Sequence, residues 1–175
     1  MSNDPNIARQ APTQAPAAST FRGLEAILLG CVLSACATTV FHVFGFDMRR
    51  DDQDAVVLEY RYGNSSDWIG PKADEIKDDR IFGFEATGGY FTRPEFLYVK
   101  WRNRTTGQVF EDKADLRKQL PRNFDGQEVY FMIRGAQLYV YLISQEPRPA
   151  GMAPNGPRAT WDKKTLTIYP DAPAR

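Results

Sequence analysis

The side chain of this sequence that is most open to covalent chemistry is the thiol of Cys36. It ends an apolar run of about a dozen residues, Leu24 to Cys36, with the sequence LEAILLGCVLSAC. A thiol in this position can accept a diacylglyceryl group, and the small side chains of Ser34 and Ala35 allow a peptidase to close on the bond before it. Cleavage there would leave an acylated cysteine as the first residue of the mature chain.

The four residues Leu33-Ser34-Ala35-Cys36 resemble a bacterial lipobox. The resemblance implies that residues 1–35 comprise a disordered N-terminus, rich in Ala, Pro, Gln, Ser and Thr, followed by a lipoprotein signal peptide. Two or more acyl chains hold a protein stably on a membrane. We therefore predict lipidation at Cys36 and a position on the periplasmic face of the cell envelope. Ala37, which replaces the aspartate typical of inner-membrane retention, favours the outer membrane.

An alternative is that Leu24 to Phe46 forms one uncleaved transmembrane helix. Its 23 residues suffice to cross a bilayer. Glu25, His42 and the Thr38-Thr39 pair interrupt the apolar character that such a helix needs. Both alternatives place the folded part outside the cytoplasm.

Hydrolytic catalysis lacks its usual side chains in this sequence. A nucleophilic Ser or Cys needs a base, usually His, and the chain contains a single histidine, His42, on a predicted strand. The serines after Cys36 are Ser65, Ser66 and Ser144, and none lies in a Gly-x-Ser-x-Gly context. With no second His and no other Cys after Cys36, a zinc site also lacks ligands. We predict no enzymatic activity, no cofactor and no metal.

Charged residues balance overall, with 22 Lys and Arg against 22 Asp and Glu, so net charge gives no reason to expect a nucleic-acid partner. The acids are concentrated in the first part of the predicted domain, and four of them form a cluster, Asp74, Glu75, Asp78 and Asp79. Their spacing lacks the Asp-x-Asp-x-Asp-Gly order of a calcium loop. We interpret the cluster as part of a solvated surface loop.

Short stretches of alternating or β-branched and aromatic residues predict strands throughout the remainder. They are Thr38 to Met48, Ala55 to Gly63, Ile81 to Tyr90, Glu95 to Arg102, Gln108 to Asp112, Glu128 to Arg134, Gln137 to Ser144, and a final pair formed by Ala159 to Trp161 and Thr165 to Tyr169. Asp115 to Leu120 allows one turn of helix before Pro121. The pattern predicts an all-β, mainly antiparallel, β-sandwich-like single domain over residues 36–175, with at most one short helix.

The strongest local signal is a hairpin around Gly135-Ala136, where glycine at the first central position fits a type II′ turn. This register sets Ile133 opposite Leu138 and gives the hairpin one aliphatic face. The other face carries Tyr130, Met132, Tyr139 and Tyr141. It is interpreted either as a face covered by a second layer or the Pro-rich segment after Ser144, or as an exposed protein-binding face.

A partner would dock on this aromatic face and on the acidic first half of the domain, because aromatic rings and arginines are enriched at interfaces and charge steers encounter. The candidate partner-binding residues are Asp51, Asp52, Asp54, Asp74, Glu75, Asp78, Asp79, Trp101, Arg102, Tyr130, Tyr139 and Tyr141.

The chain resembles small lipoproteins that act as immunity proteins to phospholipase effectors of type VI secretion systems. The residues that carry the resemblance are the lipobox, VLEYRYG at Val57 to Gly63, RPEFLYVKWR at Arg93 to Arg102, and GQEVYFMIRGAQLYVYLIS at Gly126 to Ser144. The resemblance implies a periplasmic lipoprotein that binds and neutralises a cognate lipase by occlusion, without catalysis. The alternatives are a structural or envelope-assembly lipoprotein with no toxin partner, and a periplasmic enzyme, which would need a concave cluster of carboxylates.

Overall fold

The computed structural model of the chain describes residues 39–63, 69–72 and 81–170. These residues form eight strands, β1 (Thr39–Asp47), β2 (Ala55–Tyr62), β3 (Phe84–Thr92), β4 (Phe96–Asn103), β5 (Val109–Asp115), β6 (Glu128–Arg134), β7 (Gln137–Pro147) and β8 (Lys163–Tyr169). One 3₁₀ turn, Arg158–Thr160, precedes β8. None of the described residues lies in a helix long and apolar enough to cross a membrane.

The strands form two sheets. The five-stranded sheet has the order β3-β1-β6-β7-β8, and the three-stranded sheet has the order β2-β4-β5. All the neighbouring strands are antiparallel except β1 and β6, which run parallel. The fold is therefore all-β and sandwich-like, as the sequence predicts.

Apolar side chains from both sheets fill the space between them, because alternate residues of each strand point to the same side. Phe44 and Phe46 of β1, Tyr60 of β2 and Phe131 of β6 form a chain of ring contacts with centroids 4.5 to 6.1 Å apart. Trp101 of β4 is fully buried and its indole N–H donates to the Gly135 carbonyl at 3.1 Å. This bond joins the small sheet to the turn of the β6–β7 hairpin.

Side chains also link the two sheets at their edges. The Tyr60 hydroxyl donates to Glu85 of β3 at 2.9 Å, and the Tyr169 hydroxyl at the end of β8 donates to Asp112 of β5 at 2.8 and 3.0 Å. The sandwich is thus held together along both sides as well as through its core.

The predicted hairpin register is confirmed. Ile133 lies opposite Leu138, Phe131 opposite Val140, and Val129 opposite Leu142. Gly135 has a φ of 61° while Ala136 has no positive φ, which is the pattern of a type II′ turn. The aliphatic face is buried in the main core.

Two sequence-based expectations need correction. Thr39–Asp47 is a strand, so a single transmembrane helix from Leu24 to Phe46 is wrong. Ala159 and Thr160 lie in the 3₁₀ turn, and β8 pairs with β7 in place of the predicted final hairpin. The stretch 115–120, which was allowed one turn of helix, holds one helix-type bond, from the Leu120 N–H to the Leu116 carbonyl at 3.1 Å.

Candidate functional site

Within the described residues, one segment lies against the outer face of the five-stranded sheet at β7 and β8. It comprises residues 148–161 and is here called the cover segment. A Cβ at Gly156 would lie 3.4 Å from the ring of Tyr141 and 2.9 Å from the Thr165 side chain, so the backbone touches the sheet there. The Trp161 indole donates to the Gly156 carbonyl at 3.2 Å and folds the segment back on itself.

The loop between β1 and β2, residues 48–54, holds the cover segment in place. The Asp51 carboxylate accepts the Arg158 backbone N–H at 2.9 Å, and the Asp52 carboxylate pairs with the Arg158 guanidinium at 2.5 Å. Asp51 and Asp52 have φ values of 60° and 54°. Two successive residues in the left-handed region cost energy outside glycine, and Asp tolerates this conformation better than most residues.

A groove of about 390 Å³ lies between the cover segment and the open part of the sheet. Ala86 on β3, a small residue, lines its floor and leaves the space above it unfilled; the strand partner of Ala86 on β1 is the buried Gly45. Its walls carry both charge and aromatic surface, from Asp47, Arg49, Asp51, Phe84, Glu128 and Tyr130.

An ion-pair cluster forms one wall of the groove. The Asp47 carboxylate accepts hydrogen bonds from Arg49 at 2.7 and 3.0 Å, and Arg50 approaches it to 3.3 Å. The Arg49 hydrogen bond, opposed by desolvation, lowers the pKa of Asp47. The Arg49 guanidinium also lies 4.9 Å from the ring centroid of Phe84. This geometry fixes the direction in which Arg49 presents its charge.

Glu128 and Tyr130, both partly buried, also line the groove. A Cβ at Gly45 would lie 3.4 Å from the Glu128 Oε1, so this carboxylate covers the backbone of Gly45 on β1. Burial raises the pKa of Glu128, and the Lys163 charge partly offsets that effect. Burial, together with the negative charges of Asp47, Asp51 and Glu128, raises the pKa of Tyr130. The phenol therefore stays neutral and can donate or accept a hydrogen bond in the groove.

The structure brings three of the predicted partner-binding residues together: Asp51, Asp52 and Tyr130 at the groove and its rim. Tyr139 is half-buried and Tyr141 is 4% exposed beneath the cover segment. The expectation that Tyr141 contacts a partner is therefore wrong for this arrangement. Of the two interpretations of the tyrosine face, the covered one holds for Tyr141.

The remaining predicted residues lie elsewhere. Trp101 is wrong as a partner contact because it has no exposed surface. Arg102 is exposed on β4, on the outer face of the three-stranded sheet. Asp54 lies just before β2, and its backbone carbonyl accepts the Arg104 N–H at 3.2 Å. The predicted residues Cys36, Asp74, Glu75, Asp78 and Asp79 lie outside the described residues.

Sequence reasoning missed Arg49, Phe84, Glu128 and Arg158, which come from four separate segments. Only the parallel pairing of β1 with β6 brings Glu128 beside Val43 and Tyr130 beside Gly45. The sequence signal that points to this region is the run of charged residues from Asp47 to Asp54, which contains Arg49.

His42 lies in the core and does not reach this groove. It has no exposed surface, its Nδ1 donates to the Val40 carbonyl at 2.9 Å, and its Nε2 has no partner among the described residues. No serine, cysteine or histidine side chain lines the groove in the part of the chain that the structure describes. Within those same ranges, no three His, Cys, Asp or Glu side chains are grouped to hold a metal ion.

The fold and the groove define a β-sandwich-like domain with a charged and aromatic surface groove. Comparisons of the chain with family models, with curated proteins and with solved structures find no match.

Proposed function

We propose that this protein is a lipid-anchored periplasmic protein that binds a phospholipase-type effector and neutralises it by occlusion, without catalysis of its own. The observation that supports the proposal most directly is the open groove between the cover segment and β3, with Arg49 and Phe84 held in contact on its wall. Arginine and aromatic side chains dominate the binding energy of protein interfaces.

The chemistry of the groove suits a protein surface. Its lining carries charges of both signs, from Arg49 and Arg50, which pair with Asp47, and from Asp51 and Glu128. Such a pattern selects one partner orientation and penalises others, because a misplaced like charge costs several kcal/mol. An inserted loop of the effector would meet charges of both signs above an uncharged floor.

Anchoring supports the same proposal. With lipid on Cys36, only Ala37 and Thr38 would separate the anchor from the first residue of β1, Thr39. A blocker tethered this closely has a high local concentration at the surface that a lipase attacks. The blocker then needs a complementary surface and no reactive groups.

The test is whether the full chain protects cells that express a candidate phospholipase effector in their periplasm, the candidate being a lipase gene found in the neighbourhood of the gene for this chain. The full chain is expected to protect, and Ala86→Trp, which fills the groove from an exposed floor position, is expected to weaken effector binding by about tenfold or more, since a hot-spot contact is worth about 2 kcal/mol. Binding is measured by titration calorimetry with the purified pair.

Val109→Trp is the matched control, because Val109 is 49% exposed on β5 of the other sheet. It is expected to bind and protect as the unsubstituted chain does. Absence of protection by the unsubstituted chain would refute the proposal and favour a structural envelope lipoprotein. If the unsubstituted chain protects, and Ala86→Trp and Val109→Trp bind the effector equally well, the effector binds outside the groove.

A further inference from the structure

Phe41 on β1 and Tyr90 on β3 form an exposed aromatic pair on the same outer face as the groove. They lie directly opposite each other across the two strands, with ring centroids 5.3 Å apart in an edge-to-face arrangement. Phe41 is 38% exposed and Tyr90 is 75% exposed. Adjacent aromatic rings that remain this open on one face indicate a contact surface.

The pair lies at the end of the sandwich where the chain enters it. Phe41 follows the first residue of β1, Thr39, by two positions, and it follows Cys36 by five. At about 3.4 Å per extended residue, Phe41 can lie at most about 17 Å from an acylated cysteine.

A loop that carries a basic side chain is bonded to the backbone of Phe41. The Asp125 carboxylate of the loop between β5 and β6 accepts the Phe41 N–H at 3.2 Å, and the Gly126 N–H donates to the Phe41 carbonyl at 2.8 Å. The exposed Arg122 precedes Asp125 by three residues, whereas Lys118 of the same loop lies beside Tyr169 of β8. An arginine near a membrane surface is attracted by anionic head groups. The Asp125 carboxylate of the same loop carries the opposite charge, and one of its oxygens accepts the Phe41 N–H.

We propose that Phe41 and Tyr90 form a membrane-contacting patch that enters the head-group layer of a phospholipid membrane when the protein is anchored. Phenylalanine and tyrosine rings suit this layer because each ring is apolar and the phenol can meet water. The inference rests on the proposed lipidation at Cys36. It also relates the patch to the groove: Phe84 lies six residues before Tyr90, about 20 Å away along β3, so the groove would open on the same sheet face beyond the patch.

The test uses the full chain, extracted from bacterial membranes and reconstituted into vesicles of phosphatidylcholine and phosphatidylglycerol. A fraction of the lipid carries bromine high in its acyl chains and quenches nearby tryptophan. The native tryptophans give a background that is subtracted with the unsubstituted protein. Tyr90→Trp is expected to show at least about twofold stronger quenching than the matched control Val109→Trp, because only the first residue reaches the interface.

Co-sedimentation with the vesicles tests the lipid anchor separately from the membrane-contacting patch. If the unsubstituted chain does not sediment, the anchor is refuted and this inference with it. If all three proteins sediment and Tyr90→Trp is quenched no more than Val109→Trp, the anchor stands and the membrane-contacting patch is refuted. Stronger quenching of Tyr90→Trp that falls when Phe41→Ser is added supports the patch.

Discussion

At the scale of single residues, His42 should make the stability of the fold depend on pH. The ring is buried against Tyr62, Phe91 and Phe124 at centroid distances of 5.8, 5.4 and 4.7 Å. Desolvation lowers the pKa of His42 from 6.5, with a smaller opposing effect of the Val40 carbonyl. Tyr62, whose pKa is raised by burial, stays neutral and offers no negative charge. The folded state therefore resists protonation of the imidazole.

Proton linkage gives the direction in which the free energy of unfolding changes with pH. Below pH 6.5 the unfolded chain binds a proton at His42 and the folded chain does not, so the free energy of unfolding falls as pH falls. The decrease is at most about 1.4 kcal/mol per pH unit and ends at the pKa of the folded state. Urea unfolding at pH 7, 6 and 5 measures it.

His42→Phe is the informative variant, because His42 is the single histidine of the chain. The substitution keeps an aromatic ring in the same cluster and removes the titrating group. Its free energy of unfolding is expected to change less between pH 6.5 and 5 than that of the unsubstituted protein. Equal slopes would show that another group causes the pH dependence.

At the scale of elements, Gln53 ties the loop after β1 to the sheet. Its amide nitrogen donates to the carbonyls of Asp47 at 2.8 Å and Arg50 at 3.2 Å, and its Oε1 accepts the Ile133 N–H at 2.7 Å. The side chain is 5% exposed, so its partners have no ready access to water. Gln53→Ala is expected to lower the free energy of unfolding by about 2 to 4 kcal/mol, since it leaves buried polar groups unpaired.

Gln108→Ala is the matched control for this prediction, because Gln108 is exposed in the turn between β4 and β5. It should change the free energy of unfolding by less than about 0.5 kcal/mol. Urea unfolding of both variants provides the comparison. A loss of less than about 1 kcal/mol on Gln53→Ala would contradict the structural role given to this amide.

The strand pairings differ in how far the sequence could predict them. The hairpin register was predictable because a one-residue shift would exchange Ile133 and Leu138 with polar neighbours. The groove was not, because its residues come together only through the parallel pairing of β1 with β6, which leaves no local pattern. Trp101 illustrates the same limit: its alternation with Leu97 and Val99 indicated a buried face, but the residue type alone suggested an interface.

At the scale of the whole molecule, the aromatic pair and the groove share one sheet face, and in the proposed lipid-anchored protein the short tether from Cys36 would decide how that face meets the membrane. We expect a 20-residue Gly/Ser insertion between Ala37 and Thr38 to weaken protection against the effector. Such a linker spans about 25 Å on average, so the domain would leave the surface for much of the time and lose local concentration.

Dose–response curves of cell survival against effector expression measure the change, and the same insertion placed after Arg175 is the control. The insertion near Ala37 should also reduce the quenching of Tyr90→Trp, whereas the C-terminal insertion should change neither result. Binding in solution should be equal for both proteins, because the groove is untouched. Full protection by the chain with the lengthened tether would show that the groove acts without a fixed position above the membrane, and that occlusion depends on affinity alone.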